Sequence, residues 1–441
     1  MVLPVRSTRS VAAFTGDGLR STLREIQRLI PLTLHEVPTG ASALDWQVPM
    51  EWNVRAARIE TLSGDTIVDF ADCNLHVVNY STPIDAVVSH AELADHVHTL
   101  PDQPTLVPYR TGYYAERWGF CLAHRVWESM QDSHYRVRID STLAPGALTY
   151  GELLVAGSEQ QEVLISVHCC HPSLANDNLS GIAVATEIAR HVLSRSNRLS
   201  YRLLFIPATI GSLTWLARNE AVLPRIAHGL VLSCVGDRGS FHYKRSRRGD
   251  TLIDRTVAHV LGHNAVAHEI MPVSPYGYDE RQYCSPGYDL PVGCFMRSPN
   301  GTFPEYHTSA DNLDFVTPDA LEQSFRVLLD VIDVLERNVI YARVDGRGEP
   351  QLGRRGLYRA ISGQKDQAAA QMAPLWVLNQ ADGSQTLLDI AERAGLPFAQ
   401  IAAAADLARE ADLIRRAPQQ GPTGTSQASH EAPRLISTGV R

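Results

Sequence analysis

No run of apolar residues in this chain approaches the ~20 that a helix needs to cross a bilayer, so a membrane-spanning helix is not expected. No charged segment followed by an apolar one opens it, and no secretory leader is expected either. Positive charge is not in excess: the formal net charge is −8 at pH 7. That balance argues against non-specific binding to nucleic acid or to an anionic membrane. Cysteine is sparse and odd in number, seven in 441 residues. A disulfide framework is therefore not indicated, and free thiols in a reducing cytoplasm are expected. The rest is an ordinary globular composition, 44% hydrophobic and 20% charged. The length allows two or three domains with an ample core.

The densest chemistry lies between His168 and Gly181, where His-Cys-Cys-His-Pro-Ser-Leu-Ala-Asn-Asp-Asn-Leu-Ser-Gly follows the apolar run Val163–Val167. That run reads as a buried strand. Beyond it Ile182, Ala185, Ile188 and Val192 recur at helical spacing, which predicts a helix from about Asn178. The polar stretch thus falls at the carboxyl end of a buried strand, where α/β sheets place their ligands. His168 and Asp177 suit a hard-to-borderline metal facing that crevice. The competing reading of the same two residues is a helix cap without a metal.

Before this stretch, Leu19, Leu23, Ile26 and Ile30 fall on one face of a helix. Residues 59–70 read as a hairpin, and Tyr135, Val137 and Ile139 alternate with Arg136 and Arg138 as in a half-buried strand. Residues 51–149 are therefore expected to form a β-rich unit interrupting an α/β domain made of 1–50 and 150–343. The aromatic stretch Tyr113–Phe120 either walls a pocket or packs a seam. Tyr201–Pro207 and Gly229–Val235 continue the buried strands, and a helix over Asp319–Tyr341 closes the domain. The basic run Lys244–Arg248 reads as a solvated loop rather than an anion site.

Residues 347–417 carry three short helical segments, Met372–Leu378, Leu387–Ala394 and Ile401–Leu407, at helix-turn-helix spacing. The segment that would read DNA, Phe398–Glu410, is mostly alanine with Arg409 its one basic residue. Base reading needs Arg, Lys, Asn or Gln at the groove. A packing or oligomerisation module, and hence a homo-oligomer without nucleic-acid or membrane partners, is expected instead. The tail 418–441 has a disordered composition.

Thr15–Gly18, Asn74–Ser81, Glu116–Cys121, Ser173–Gly181, Asp279–Gly287 and Phe303–Phe315 together resemble a family of bacterial aminopeptidase-like proteins. The core of that family resembles the zinc-dependent exopeptidases, which include leucyl aminopeptidases, glutamate carboxypeptidases and glutaminyl cyclases. The resemblance runs from about Thr15 to Arg416. It implies an α/β fold, a mixed sheet flanked by helices, with an inserted β-rich domain and a small C-terminal winged-helix-like domain. It also implies zinc, with the first histidine ligand at His168, the metal-bridging aspartate at Asp177 and the last histidine at His307. Other ligand positions are lost. The aspartate two residues after the first histidine is Cys170, the paired glutamates fall on Ala208 and Thr209, and the next aspartate falls near Ser233. One zinc per chain is therefore expected rather than two.

Two imidazoles and a carboxylate make the ligand count of a catalytic zinc. Hydrolysis also needs a general base, which Ala208 cannot be. Glu305 is one candidate: two residues from His307 in an extended segment, its side chain would point the same way. Glu280 is the other, in a motif that by resemblance borders the site. The alternative for each is orienting a histidine ligand. Asp311 is expected behind the ligands, and Cys169 and Cys170 as buried structural thiols. Arg281, Tyr283 and Tyr306 are the substrate-binding candidates, Arg281 either anchoring a carboxylate or pairing with Asp279 or Glu305. The function expected is zinc-dependent hydrolysis of an amide or peptide bond in a small molecule or short peptide. The alternatives are single-zinc amide transfer or cyclisation, and a catalytically inactive binding protein.

Overall fold

The structure, a computed structural model, describes residues 15–112, 115–355, 357 and 365–417, without the side chains of 365–371. The tail expected to be disordered lies outside the described residues. The chain divides into two compact units, the first ending at Glu336 and the second beginning at Arg337.

The first unit is built on eight strands: β1 (Thr33–Pro38), β2 (Ala147–Val155), β3 (Glu162–His168), β4 (Ser200–Ile206), β5 (Ile226–Leu232), β6 (Phe241–Lys244), β7 (His268–Met271) and β8 (Val292–Met296). They form one mixed sheet in the order β1-β2-β4-β3-β5-β8-β6-β7. β4, β3, β5 and β8 run parallel, whereas β1 against β2, β2 against β4 and β6 against β8 are antiparallel. Every residue of β3, β4 and β8 is buried, which is why these strands read as continuous apolar runs. The one cation inside them, Arg202 of β4, is neutralised by Glu162 at 2.6 Å and by Glu152. Helix Gly181–Leu193 carries the chain from β3 to β4, and helix Ile210–Arg218 carries it from β4 to β5. Because β4 and β5 lie on opposite sides of β3, the winding reverses there and opens a crevice at the carboxyl end of β3.

The insert lies between β1 and β2. Its antiparallel sheet orders Thr66–Asp69, Glu51–Thr61, His134–Ala144 and Ile84–Ser89. The hairpin pairs Ile59 with Val68, and Tyr135, Val137 and Ile139 face inward while Arg136 and Arg138 face solvent. Of the aromatic stretch, Tyr113 and Tyr114 lie outside the described residues. Trp118 stacks on His96 with centroids 3.6 Å apart, and Phe120 is fully buried. Both pack within the insert.

In the second unit the central strand Ile340–Arg343 pairs with Asp382–Thr386 and Ile414–Arg416. The helix predicted to reach Tyr341 therefore ends at Arg337, and residues up to 343, expected with the first domain, belong to the second unit. Helices Lys365–Gln380, Leu387–Ala394 and Phe398–Glu410 complete a winged helix. Thr386 and Asp389 cap the middle helix reciprocally, and Gly395, at φ +62°, supplies the left-handed stop that a side chain resists. The exposed positions of Phe398–Glu410 are Ala399, Gln400, Ala403, Leu407, Arg409 and Glu410. A gel shift at low salt is expected to show no salt-sensitive, sequence-preferring DNA binding. A shift abolished by deleting residues 372–416 would overturn this.

Candidate metal centre and active site

β3 ends in His168, and the chain then turns through His171 and Ser173 to Asp177 before helix Gly181–Leu193 begins. The segment Ala175–Ser180 is not the helix start predicted at Asn178. It is a wide turn with non-helical backbone at Asp177 and Asn178, whose joining peptide is cis. Its polar side chains explain the shape, since each fastens a buried backbone group. Asn176 donates to Asp237 Oδ2 at 2.8 Å and accepts from Gly236 N at 2.9 Å. Asn178 donates to the Leu232 carbonyl at 3.0 Å and accepts from Cys234 N at 3.2 Å. Ser180 Oγ donates to the Asn176 carbonyl at 2.6 Å. The amides of Asn176 and Asp177 both donate to the Asp311 carboxylate. Asp311 thus holds the loop that presents Asp177, and burial, first of all, pushes its carboxyl up to about 7.

Asp177 has no exposed surface. Its Oδ1 lies 2.6 Å from His168 Nε2, and its Oδ2 lies 3.0 Å from His307 Nε2 and 3.5 Å from His171 Nδ1. Burial pushes this carboxyl up, but the charges of His171 and His168 and the hydrogen bond with His168 outweigh burial and hold it well below the usual range. His307 is lowered by burial foremost, against the hydrogen bond to Asp177. His168, His171 and Asp177 offer donor atoms that all lie within 4.8 Å of one another. Beyond its 3.5 Å approach to Asp177, His171 Nδ1 is buried without a hydrogen-bond partner among the described residues, an atom that a cation would satisfy. A borderline divalent ion suits this imidazole-rich, carboxylate-centred set. His171 is the one member that the sequence pattern does not single out.

Two tyrosines flank the imidazoles. Tyr278 stacks on His168 and Tyr306 on His307, with centroids 4.3 and 4.0 Å apart, and their hydroxyls meet at 3.0 Å. Burial raises both phenols, so they stay protonated. A third aromatic comes from the insert. Tyr109 lies edge-on to His171 and His307 at 5.0 and 5.1 Å, and its N–H donates to the His307 carbonyl at 2.8 Å.

The remaining candidates separate. Glu280 is buried in an ion pair with Lys244, whose ammonium also donates to the Tyr276 carbonyl at 2.8 Å. Glu305 does not lie in an extended segment: residues 304–307 form a turn, and His307 adopts φ +56°. The same-side argument from alternation therefore does not apply to it. Its side chain is half-buried and without an ion pair or hydrogen bond among the described residues. Tyr283 is fully buried with its hydroxyl 3.0 Å from Ser166 Oγ, closed to a substrate in this conformation. Arg281 is exposed, and Asp279, its expected partner, accepts from Ser212 Oγ at 2.8 Å. Cys169 and Cys170 are buried, and burial pushes both thiols well up, as expected of structural cysteines. The basic run is also satisfied internally, with Arg247 and Arg248 on Asp289 at 3.0 and 2.9 Å. A cavity of about 560 Å³ lies against the ligand-bearing loop, lined in part by Asp72, Asn74, Ser173, Asp311 and Asn312.

The fold of the first unit, a mixed sheet flanked by helices, is one that this chain shares with zinc aminopeptidases of solved structure. More narrowly, the chain belongs to the family described as domain of unknown function (DUF4910), which matches residues 6–338, and a winged helix-turn-helix family matches residues 339–416. It is 44% identical over 403 residues to a Clostridium acetobutylicum protein whose name makes it a candidate polysaccharide biosynthesis protein with an aminopeptidase-like domain. The match covers 91% of this chain and 93% of that one. The crystal structure of a candidate peptidase from Clostridium acetobutylicum superposes with a TM-score of 0.89 at 42% identity, covering 93% of this chain and 94% of the other. BSAP, a zinc aminopeptidase from Bacillus subtilis, shares the fold, with a TM-score of 0.53 at 14% identity over 76% of this chain and 96% of its own. No helix among the described residues is long and apolar enough to cross a membrane.

Proposed function

We propose that this protein is a zinc-dependent hydrolase of an amide or peptide bond in a small substrate. One observation carries the reading: a fully buried carboxylate, Asp177, with all three nearby imidazoles turned onto it. His168, His171, Asp177 and His307 would hold the metal, which when bound lowers the pKa of water to about 7 and polarises a carbonyl oxygen. Asn178 Nδ2, 3.4 Å from His168 Nδ1, and Tyr278 beneath the ring keep His168 in place. In the Tyr278–Tyr306 pair one hydroxyl donates to the other, which leaves the second proton free for a substrate oxygen. The cavity against the ligand-bearing loop, about 560 Å³, has the size that a small substrate needs. The test is metal analysis together with a panel of aminoacyl and peptidyl amides, with free and blocked amines, followed by product analysis. Zinc without turnover of any amide would sink the hydrolase. Cyclised or transferred products would replace it with the single-zinc transfer chemistry.

The proton acceptor proposed here is Glu305, since Glu280 is bound to Lys244. Glu305→Gln is expected to lower kcat by roughly 10²–10⁴-fold with KM and zinc content little changed. Glu280→Gln is expected instead to lower thermal stability, because it strands a buried ammonium. Steady-state kinetics and melting curves of the two variants separate the roles. An unchanged kcat in Glu305→Gln removes it as the base.

A further inference from the structure

The insert meets the ligand-bearing loops at Asn74, whose Nδ2 donates to Ser173 Oγ at 2.7 Å, and along a strap, residues 107–112. The strap is stitched to the loop that carries His307: Ser309 N donates to the Val107 carbonyl at 2.8 Å, Val107 N to Ser309 Oγ at 3.0 Å, and Gln103 to the Pro304 carbonyl at 2.9 Å. Pro108 and Thr308 form an antiparallel bridge, and Tyr109 rests against His171 and His307. The next residue is Arg110. Its carbonyl accepts from Asn79 N at 3.0 Å, while its exposed guanidinium has no carboxylate partner among the described residues.

A second arginine joins it. Arg117 donates to the Thr111 carbonyl at 3.3 Å, is exposed, and likewise lacks a carboxylate partner among the described residues. Between them in sequence, Thr111 Oγ1 is buried without a hydrogen bond among the described residues. His98 is lowered first by burial and then by the charges of Arg110, Arg117 and His96, so the cations are gathered around one spot. In a chain of net charge −8, two exposed arginines without a carboxylate partner on and beside the strap differ from several basic residues of the sheet region. Lys244, Arg247, Arg248 and Arg202 are neutralised by carboxylates, whereas Arg245 and Arg297 are satisfied by carbonyl and amide oxygens.

We propose that Arg110 and Arg117, supplied by the insert, bind an anionic group of the substrate, a carboxylate or a phosphate, and thereby set which amides the metal site accepts. The proposal rests on the hydrolase reading and names its substrate class. The planar guanidinium fork matches both oxyanions bidentately, and the strap anchors the Arg110 backbone next to Tyr109, which rests on the imidazoles. The inserted domain thus has a specificity role, which a mere cover over the cleft would not have.

The experiment uses the full zinc-loaded chain and isothermal titration with N-acetyl-L-alanine, its amide, and inorganic phosphate. The proteins are wild type, Arg110→Ala, Arg117→Ala, the double variant, Arg110→Lys and Arg281→Ala, each checked for zinc content and melting temperature. Wild type is expected to bind the acid at least tenfold more tightly than the amide. Each alanine variant should reduce that preference and the double variant erase it, at unchanged zinc content. Arg110→Lys should retain part of it and Arg281→Ala all of it. Phosphate binding tighter than the acid identifies a phosphate-bearing substrate, and the reverse a carboxylate. Equal affinities for acid and amide in wild type overturn the proposal. So does a preference that survives in the double variant, which then belongs to the metal alone. Neither failure touches the hydrolase reading, which stands or falls on zinc content and amide turnover. A double variant that loses zinc or melts early is replaced by Arg110→Gln with Arg117→Gln, which keep the side-chain length.

Discussion

Asparagine at position 177 is expected to empty the site of zinc and reduce amide hydrolysis to background. Asp177 is the only anion within bonding reach of His168, His171 and His307 among the described residues. Asparagine keeps the shape and one acceptor oxygen but loses the charge that draws a cation into a buried, imidazole-lined pocket. Elemental analysis of wild type should return one zinc per chain. The positions that would serve a second ion offer little: Cys170 Sγ donates to the Ala208 carbonyl at 3.7 Å, Ala208 has no donor side chain, and Ser233 Oγ donates to Cys234 Sγ at 3.5 Å. Metal binding also reports on folding. Zinc at a hundred times its Kd stabilises a protein by about 2.7 kcal/mol, so EDTA should lower the wild-type melting temperature and leave that of Asp177→Asn unmoved. His168→Ala should behave like Asp177→Asn, while His171→Ala should weaken the site without emptying it. Two zinc ions in wild type, or one retained by Asp177→Asn, would refute the assignment.

The part of this site that is legible in the sequence is the part made by local pattern. A continuous apolar run can only be a strand buried on both faces or a piece of buried helix, so Val163–Val167 places His168 at a strand end. Helical spacing after Ser180 then brackets Asp177. Alternation in Tyr135–Ile139 likewise exposes the insert's sheet. The parts that escape are made by tertiary pairing. Nothing near Glu280 signals that Lys244, 36 positions earlier, will neutralise it. Instead, Lys244 opens a basic run that reads as solvated. His171 escapes because its direction is set by the turn through Pro172 and Ser173, the latter at φ +52°, and not by a period. Glu305 is misplaced when Phe303–His307 is read as extended, although Gly301 and Pro304 are turn residues. Tyr109 and Arg110 lie about 200 residues from His307, in a strap without periodicity, and only the folded insert brings them to the site.

Asp279→Asn is expected to make the protein more stable at pH 8 and nearly indifferent at pH 4. Asp279 is fully buried, its Oδ1 accepts from Ser212 Oγ at 2.8 Å, and its Oδ2 has no hydrogen-bond partner among the described residues. Burial raises the carboxyl most; the Ser212 hydrogen bond opposes it, the Glu280 charge adds to it, and the group ends at about 7 against an ordinary 3.8. Between those two values the folded chain holds a proton that the unfolded chain has released. Stability must then fall as pH rises through the window from about 4 to about 7, because stability rises with pH only where the unfolded state binds more protons. Each pH unit of that window is worth about 1.4 kcal/mol, which sets an upper bound of about 4 kcal/mol above pH 7. Asparagine cannot ionise, and its side-chain oxygen can accept the same bond from Ser212. Asp311, also raised to about 7, keeps a pH dependence in both proteins, so the difference between them isolates Asp279. Urea unfolding of wild type and Asp279→Asn from pH 4 to 8 should show a gap that opens across this window while zinc content stays the same. A gap that does not change with pH would mean that Asp279 is ionised throughout and that a cation answers its free oxygen.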